Sequence, residues 1–234
     1  MMLSQSEKER YNRHIIMHGF GEEGQAKLKN AKVLVVGAGG LGCPVMQYLV
    51  AAGVGTIGIV DGDVVSLSNL QRQVLYTESE VGQSKAGLSG AKMKQLNSAV
   101  DIHVYNRYLT SDFADELFPG YDVVVGCTDN YESRHIIDAN SKRHNIPFVH
   151  GSICGFEGQL CVFNYNNSYS YADIFGSEPA NLSSPVGVVG AIPGIIGSMM
   201  AMETIKIVTG IGQVLANRLL LYDALKNSFS QLPF

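Results

Sequence analysis

Val33 to Gly42 reads VLVVGAGGLG, an apolar run of strand composition that breaks into a glycine-rich turn and opens a helix. Gly37, Gly39 and Gly42 fill the three glycine places of GxGxxG, with Gly40 between them. A turn of this kind brings backbone N–H groups and the positive end of a helix against a phosphate. Asp61 follows Gly42 by nineteen residues, at the end of a second apolar run over Thr56 to Val60, where an acid accepts hydrogen bonds from a ribose. The pattern implies a bound adenine nucleotide and leaves NAD, FAD, ATP and S-adenosylmethionine open.

With 234 residues, 46% of them hydrophobic and 16% charged, the chain can bury one substantial core. Its 17 basic and 21 acidic residues include no Lys/Arg run longer than two, which argues against nucleic acid as the main ligand. The polar start, MMLSQSEKERYNRH, lacks the apolar segment of a secretory signal, and Cys43, Cys127, Cys154 and Cys161 form no CxxC pair. A cytoplasmic enzyme with structural thiols is the expectation. Val186 to Met202 carries no charge, yet it is rich in Gly and Pro and continues in helical phase into Glu203 and Lys206. It reads as a core helix that surfaces at Glu203, and no membrane contact is expected.

Around the glycine turn the pattern alternates strand and helix. Strands are expected at 31–36 and 56–60 around a helix at 41–52, and further helices at 84–96, 111–118 and 131–144. Strand-like segments fall at 102–107, 122–126 and 146–150. Continuous Val and Ile runs mark strands covered on both faces. Residues 158–165 and 218–223 read as later strands without short crossover helices, which adds antiparallel members. The expected fold is α/β, a doubly wound, Rossmann-like, mostly parallel sheet with antiparallel C-terminal strands and an N-terminal helical arm over residues 4–29. One domain is expected over 1–234, with a nucleotide-binding half at 30–150, a second half at 151–234, and a long connection at 166–185.

The segment DGDVVSLSNLQRQ, residues 61–73, holds more polar chemistry than a ribose needs. Arg72 can clamp a polyphosphate, and Asn69 and Gln73 can bond phosphate oxygens or their metal. Asp63 and Ser68 are further cofactor-binding candidates in the same segment. Lys85 opens the next helix, and CTDN at 127–130 follows a strand at the same sheet edge. Asp129 is therefore a candidate Mg²⁺ ligand, with Asn130 beside it; either residue also suits a helix N-cap. Arg10 and Arg13 lie on the arm, from which an arginine can complete a phosphate site in a neighbouring subunit.

Taken together, RYNRHI (10–15), GAGGLG (37–42), DxDxVxxSNLQRQ (61–73), VGQSKA (81–86), CTDN (127–130), EGQL (157–160), AMETIK (201–206) and LLYDA (220–224) resemble the ThiF/MoeB/HesA adenylyltransferases, relatives of ubiquitin-activating enzymes. The resemblance implies ATP and Mg²⁺ as cofactors and a homodimer. It also implies, as partner, a small ubiquitin-like sulfur carrier ending in Gly-Gly, of thiamine-thiazole or molybdopterin synthesis, bound by the second half. Asp61 becomes the ribose contact, and Asn69, Arg72 and Lys85 become phosphate ligands. Asp129 becomes the Mg²⁺ ligand, Arg13 a residue donated across the dimer, and Asn106 to Leu109 the border of the adenine. The catalytic set it implies is Arg13, Arg72, Lys85 and Asp129.

Two departures stand out. Where zinc-binding members carry a first CxxC pair this chain reads NSYSYAD (167–173), so no zinc is expected. Where many members carry a cysteine before GVVG, this chain has Ser183. Unless Cys154 or Cys161 is recruited, the chemistry is expected to stop at adenylation. The alternative function is a NAD-dependent Rossmann oxidoreductase, which accounts for Gly37 to Asp61 and leaves Arg72, Lys85 and Asp129 without a role.

Overall fold

The computed structural model describes residues 3–177 and 187–234. Its strands are β1 (Lys32–Val36), β2 (Thr56–Val60), β3 (Asp101–Tyr105), β4 (Val123–Gly126), β5 (Phe148–Cys154), β6 (Glu157–Phe163), β7 (Arg218–Asp223) and β8 (Ser228–Pro233). Its helices are α1 (Gln5–Arg10), α2 (Asn12–Ile15), α3 (Gly21–Asn30), α4 (Gly42–Ala52), α5 (Lys85–Leu96), α6 (Ser111–Leu117), α7 (Tyr131–His144), α8 (Tyr171–Phe175) and α9 (Ala191–Thr209). Among the described residues the strands form one sheet in the order β3-β2-β1-β4-β5-β6-β7-β8. The first five are mutually parallel, and β5 to β8 pair antiparallel.

Strand order reverses between β1 and β4, whose register sets Val36 beside Gly126. The glycine turn after β1 and the CTDN segment after β4 therefore open onto one crevice, the place where α/β sheets bind ligands. Alternate β1 residues explain the unbroken apolar runs. Val33 and Val35 pack with Met46, Leu49, Ile196 and Met200 on one side of the sheet. Leu34 and Val36 pack with Phe118, Ile137 and Tyr171 on the other. Both faces are thus covered, as a doubly wound sheet requires.

Two sequence expectations need correction, the strand at 146–150 and the surfacing of α9 at Glu203. The strand expected at 146–150 begins at Phe148 and runs on to Cys154, because the tight turn into β6 lets Cys154 pair with Glu157. Within the long connection at 166–185, residues 171–175 form α8. Helix α9 does not surface at Glu203, whose side chain is buried, pairs with Lys206 and accepts a hydrogen bond from Leu215 N–H at 2.9 Å. The N-terminal arm is docked. Tyr11 is buried with its ring against Gly53, its hydroxyl accepts from Asn97 Nδ2 at 2.8 Å, and Gln25 donates to the Ala52 carbonyl at 2.8 Å. The arm therefore covers the end of the sheet where β2 begins, opposite the crevice.

Candidate active site

Gly37 has φ of +100°, and a Cβ there would stand 2.6 Å from the Cys127 carbonyl oxygen. Only glycine lets β1 turn this close to β4. A Cβ on Gly42 would run into the Gly37 carbonyl oxygen, so the first turn of α4 can close only without one. Gly40 faces Pro193 at the start of α9, and a Cβ on Gly39 would stand 3.4 Å from Gln73 Nε2. Tyr76 supports the loop from beneath: its buried hydroxyl donates to the Ala38 carbonyl at 2.7 Å and lies 2.9 Å from Ser89 Oγ.

The loop is tied to the acid at the end of β2. Asp61 Oδ2 accepts from Ala38 N–H at 2.7 Å, and its Oδ1 accepts from Asp63 N–H at 2.8 Å. Burial raises the Asp61 pKa, against the opposing pull of these two bonds and of Lys85. Each carboxylate oxygen keeps a lone pair for a ligand hydroxyl. Asp63 in turn pairs with Lys85 Nζ at 3.0 Å, and Lys85 is only 5% exposed.

Arg72 is half-buried in the same crevice, donating one hydrogen bond to the Ser68 carbonyl at 3.1 Å, and joins no ion pair among the described residues. Gln73 is buried, and its Oε1 has no hydrogen-bond partner among the described residues. These groups line one cavity of about 1080 Å³. Gly37, Gly39, Gly40, Ser68, Leu109, Asp129 and Asn130 border the same space. Gly42 lies just behind it. Asn69 and Asn106 do not line it: Asn69 Oδ1 accepts from Ser66 N–H at 3.2 Å, and Asn106 Oδ1 accepts from Ser84 Oγ at 2.9 Å.

The two possible roles at CTDN separate. Asn130 is the N-cap of α7, accepting from Ser133 N–H at 2.8 Å. Asp129 stays exposed at the cavity wall, free of the capping bond. Among the described residues no three His, Cys, Asp or Glu side chains gather to hold a metal, so a cation here would share Asp129 with ligand oxygens and water. In place of the first cysteine pair, Ser170 and Asp173 form a reciprocal capping box on α8. Asp138 anchors that helix, its carboxylate accepting from Tyr171 N–H at 2.8 Å and Ala172 N–H at 3.1 Å.

Sequence reasoning missed the other half of the cavity. Arg134 lies over the Tyr131 ring at 5.1 Å, and its Nε has no partner among the described residues. His150 is buried within an aromatic cluster of Phe148, Phe163, Tyr171 and Phe175, and its Nδ1 likewise has no partner among the described residues. Burial and the neighbouring Arg134 push the His150 pKa well down, so the ring is neutral. These residues belong to no short motif; only their burial in the crevice reveals them. Tyr108, at the cavity mouth, was included only as part of a border segment, and its hydroxyl donates to Asp63 Oδ1 at 2.7 Å.

Of the thiols, Cys43, Cys127 and Cys161 are buried, and burial pushes Cys43 up to about 11 and Cys161 up to about 12. Cys154 is exposed and borders the cavity. Ser183 lies outside the described residues. Arg13 is not brought to the crevice of its own chain: it sits on the docked arm, across the length of the sheet.

The ThiF family model matches residues 11–234. A sulfur carrier protein adenylyltransferase of Thermus thermophilus is 43% identical over 99% of this chain and 89% of its own length. An adenylyltransferase and sulfurtransferase MOCS3 of Drosophila sechellia is 45% identical over 92% of this chain, which spans only 48% of that protein. In fold, the chain superposes on E. coli MccB with MccA-N7isoASN at a TM-score of 0.87 and 21% identity, covering 99% of this chain and 72% of that one. PaaA superposes at 0.84 and 23% identity, covering 99% and 75%.

Proposed function

The chain belongs to the ThiF family, and from that premise we propose that it is an adenylyltransferase that uses ATP to activate the C-terminal carboxylate of a small ubiquitin-like sulfur carrier. The observation that carries the reading is the convergence on one cavity of the glycine loop, Asp61, an Arg72 that pairs with no carboxylate among the described residues, and an Asp129 that is not used as a helix cap. The carrier's terminal glycine attacks the α-phosphate, forming an acyl adenylate and releasing pyrophosphate. The carboxylate is already ionised at neutral pH, so no general base is needed.

Asp61 holds the ribose, and the loop N–H groups, Arg72 and Lys85 hold the polyphosphate. Negative charge grows on phosphate oxygens in the transition state, where prepositioned cations stabilise it. The donor set fits Mg²⁺, which takes one or two carboxylates together with phosphate oxygens and water. Asp129 would hold the ion, which neutralises phosphate charge when bound. The lobe walled by Arg134, His150, Tyr171 and Phe175 receives the carrier's tail. Arg13 is docked at the far end of its own sheet, so in the proposed homodimer it would serve the phosphates of a partner's site. Without a thiol at Ser183, sulfur transfer falls to another protein. A nicotinamide oxidoreductase would leave Arg72, Lys85 and Asp129 idle.

Label from radioactive pyrophosphate should enter ATP when the protein, Mg²⁺ and a carrier ending in Gly-Gly are all present. Absence of exchange with every such carrier, from a folded protein that binds NAD tightly, would refute the proposal.

A further inference from the structure

At the mouth of the cavity an exposed side chain is linked to a buried one. Tyr108, in the loop after β3, is 66% exposed, yet its hydroxyl donates to Asp63 Oδ1 at 2.7 Å. The other oxygen of the same carboxylate, Oδ2, accepts from Lys85 Nζ at 3.0 Å. Asp63 is held from its backbone as well: its N–H donates to Asp61 Oδ1 at 2.8 Å, and its carbonyl accepts from Lys85 N–H at 3.0 Å. The ring of Tyr108 presses on the same turn, since a Cβ at Gly62 would stand 2.8 Å from Tyr108 Cγ. The loop after β3 is thereby clasped to the turn after β2.

An ammonium has three donors. Lys85 gives one to Asp63 and keeps two for a ligand, while the ionised acceptor fixes where those two point. Burial alone would raise the Asp63 pKa, but the Tyr108 hydroxyl and the Lys85 ammonium outweigh it and hold the carboxyl below its ordinary range. A hydrogen bond to an ionised acceptor is stronger and better directed than a neutral one. Removing the phenolic hydroxyl would free the Asp63 side chain, 49% exposed, to swing and carry the ammonium with it.

We propose that Tyr108 is a positioning residue for the nucleotide: its hydroxyl fixes the Asp63 carboxylate, and through Asp63 it aims the Lys85 ammonium at the bound polyphosphate. The proposal rests on the nucleotide reading above. The test is ATP binding by calorimetry, without carrier, to the unaltered chain, Tyr108→Phe, Asp63→Asn and the double variant, with thermal melting to confirm folding. Tyr108→Phe is expected to weaken ATP binding roughly five- to tenfold, the scale of one ordinary hydrogen bond, because the hydroxyl acts on the ligand only through Asp63 and Lys85. In the Asp63→Asn background the same change is expected to do nothing further, because the hydroxyl acts only through that carboxylate. Unaltered ATP affinity in a folded Tyr108→Phe protein, or an equal loss in both backgrounds, overturns the proposal and leaves the adenylyltransferase reading standing. Failure of the unaltered chain to bind ATP overturns both.

Discussion

The side chain of Asn130 accepts a hydrogen bond from the backbone N–H of Ser133 at 2.8 Å, and this bond caps α7. Because Asn130 takes the structural duty, its neighbour Asp129 is free for chemistry. Asn130→Ala should lower stability by about 1 kcal/mol, the usual cost of a lost N-cap. Asp129→Ala should leave the melting temperature unchanged while abolishing pyrophosphate exchange. Paired melting curves and exchange rates check both; an Asp129→Ala protein that melts early would return the residue to a structural role.

The glycines of the loop should differ in kind. Gly42→Ala places a methyl against the Gly37 carbonyl and should cost about 2 kcal/mol or more, because the clash forces the loop and the first turn of α4 apart. Gly39→Ala meets only Gln73 Nε2 at ordinary contact distance, so the fold should hold while the methyl crowds a phosphate. Chemical denaturation and ATP titration of the two variants should give opposite profiles.

Of the four thiols, only Cys154 should react quickly with a maleimide at neutral pH, because the other three are buried and burial holds each in its thiol form. Cys154→Ser should remove that reaction and retain pyrophosphate exchange, since adenylation needs no thiol.

Acid should expose the clasp at Asp63. Its carboxyl is held below the ordinary range in the folded chain, so its contribution to stability is present above that range and is lost as pH falls through the folded value. The difference in melting temperature between the unaltered protein and Asp63→Asn should stay constant between about pH 8 and pH 5, and close only below about pH 4. A difference that disappears near neutrality would contradict the assignment.

The parallel core was readable because β1, β2 and β4 are uninterrupted apolar runs and α7 begins behind a capping residue and ends at Asn145 in the left-handed region. The far edge was not. Strand β8 reads SFSQLP and is exposed throughout; it exists because β7 offers it a ladder, which no local pattern records. At the site, residues carried by motifs were legible by type and spacing, including Asp61, Arg72, Lys85 and Asp129. Arg134 and His150 were not, because β5 and α7 bring them together only through the fold. The burial of Glu203 was equally hidden, since its partner is a backbone N–H twelve residues away.

The proposed reaction joins a carrier carboxylate to the α-phosphate of ATP. Intact-mass spectrometry of a Gly-Gly-ending carrier, incubated with the protein, Mg²⁺, ATP and pyrophosphatase, tests it directly. One AMP should be added at the carrier's terminal glycine, and none when the Gly-Gly pair is deleted. An unmodified carrier, with ATP split to ADP and phosphate instead, would contradict it.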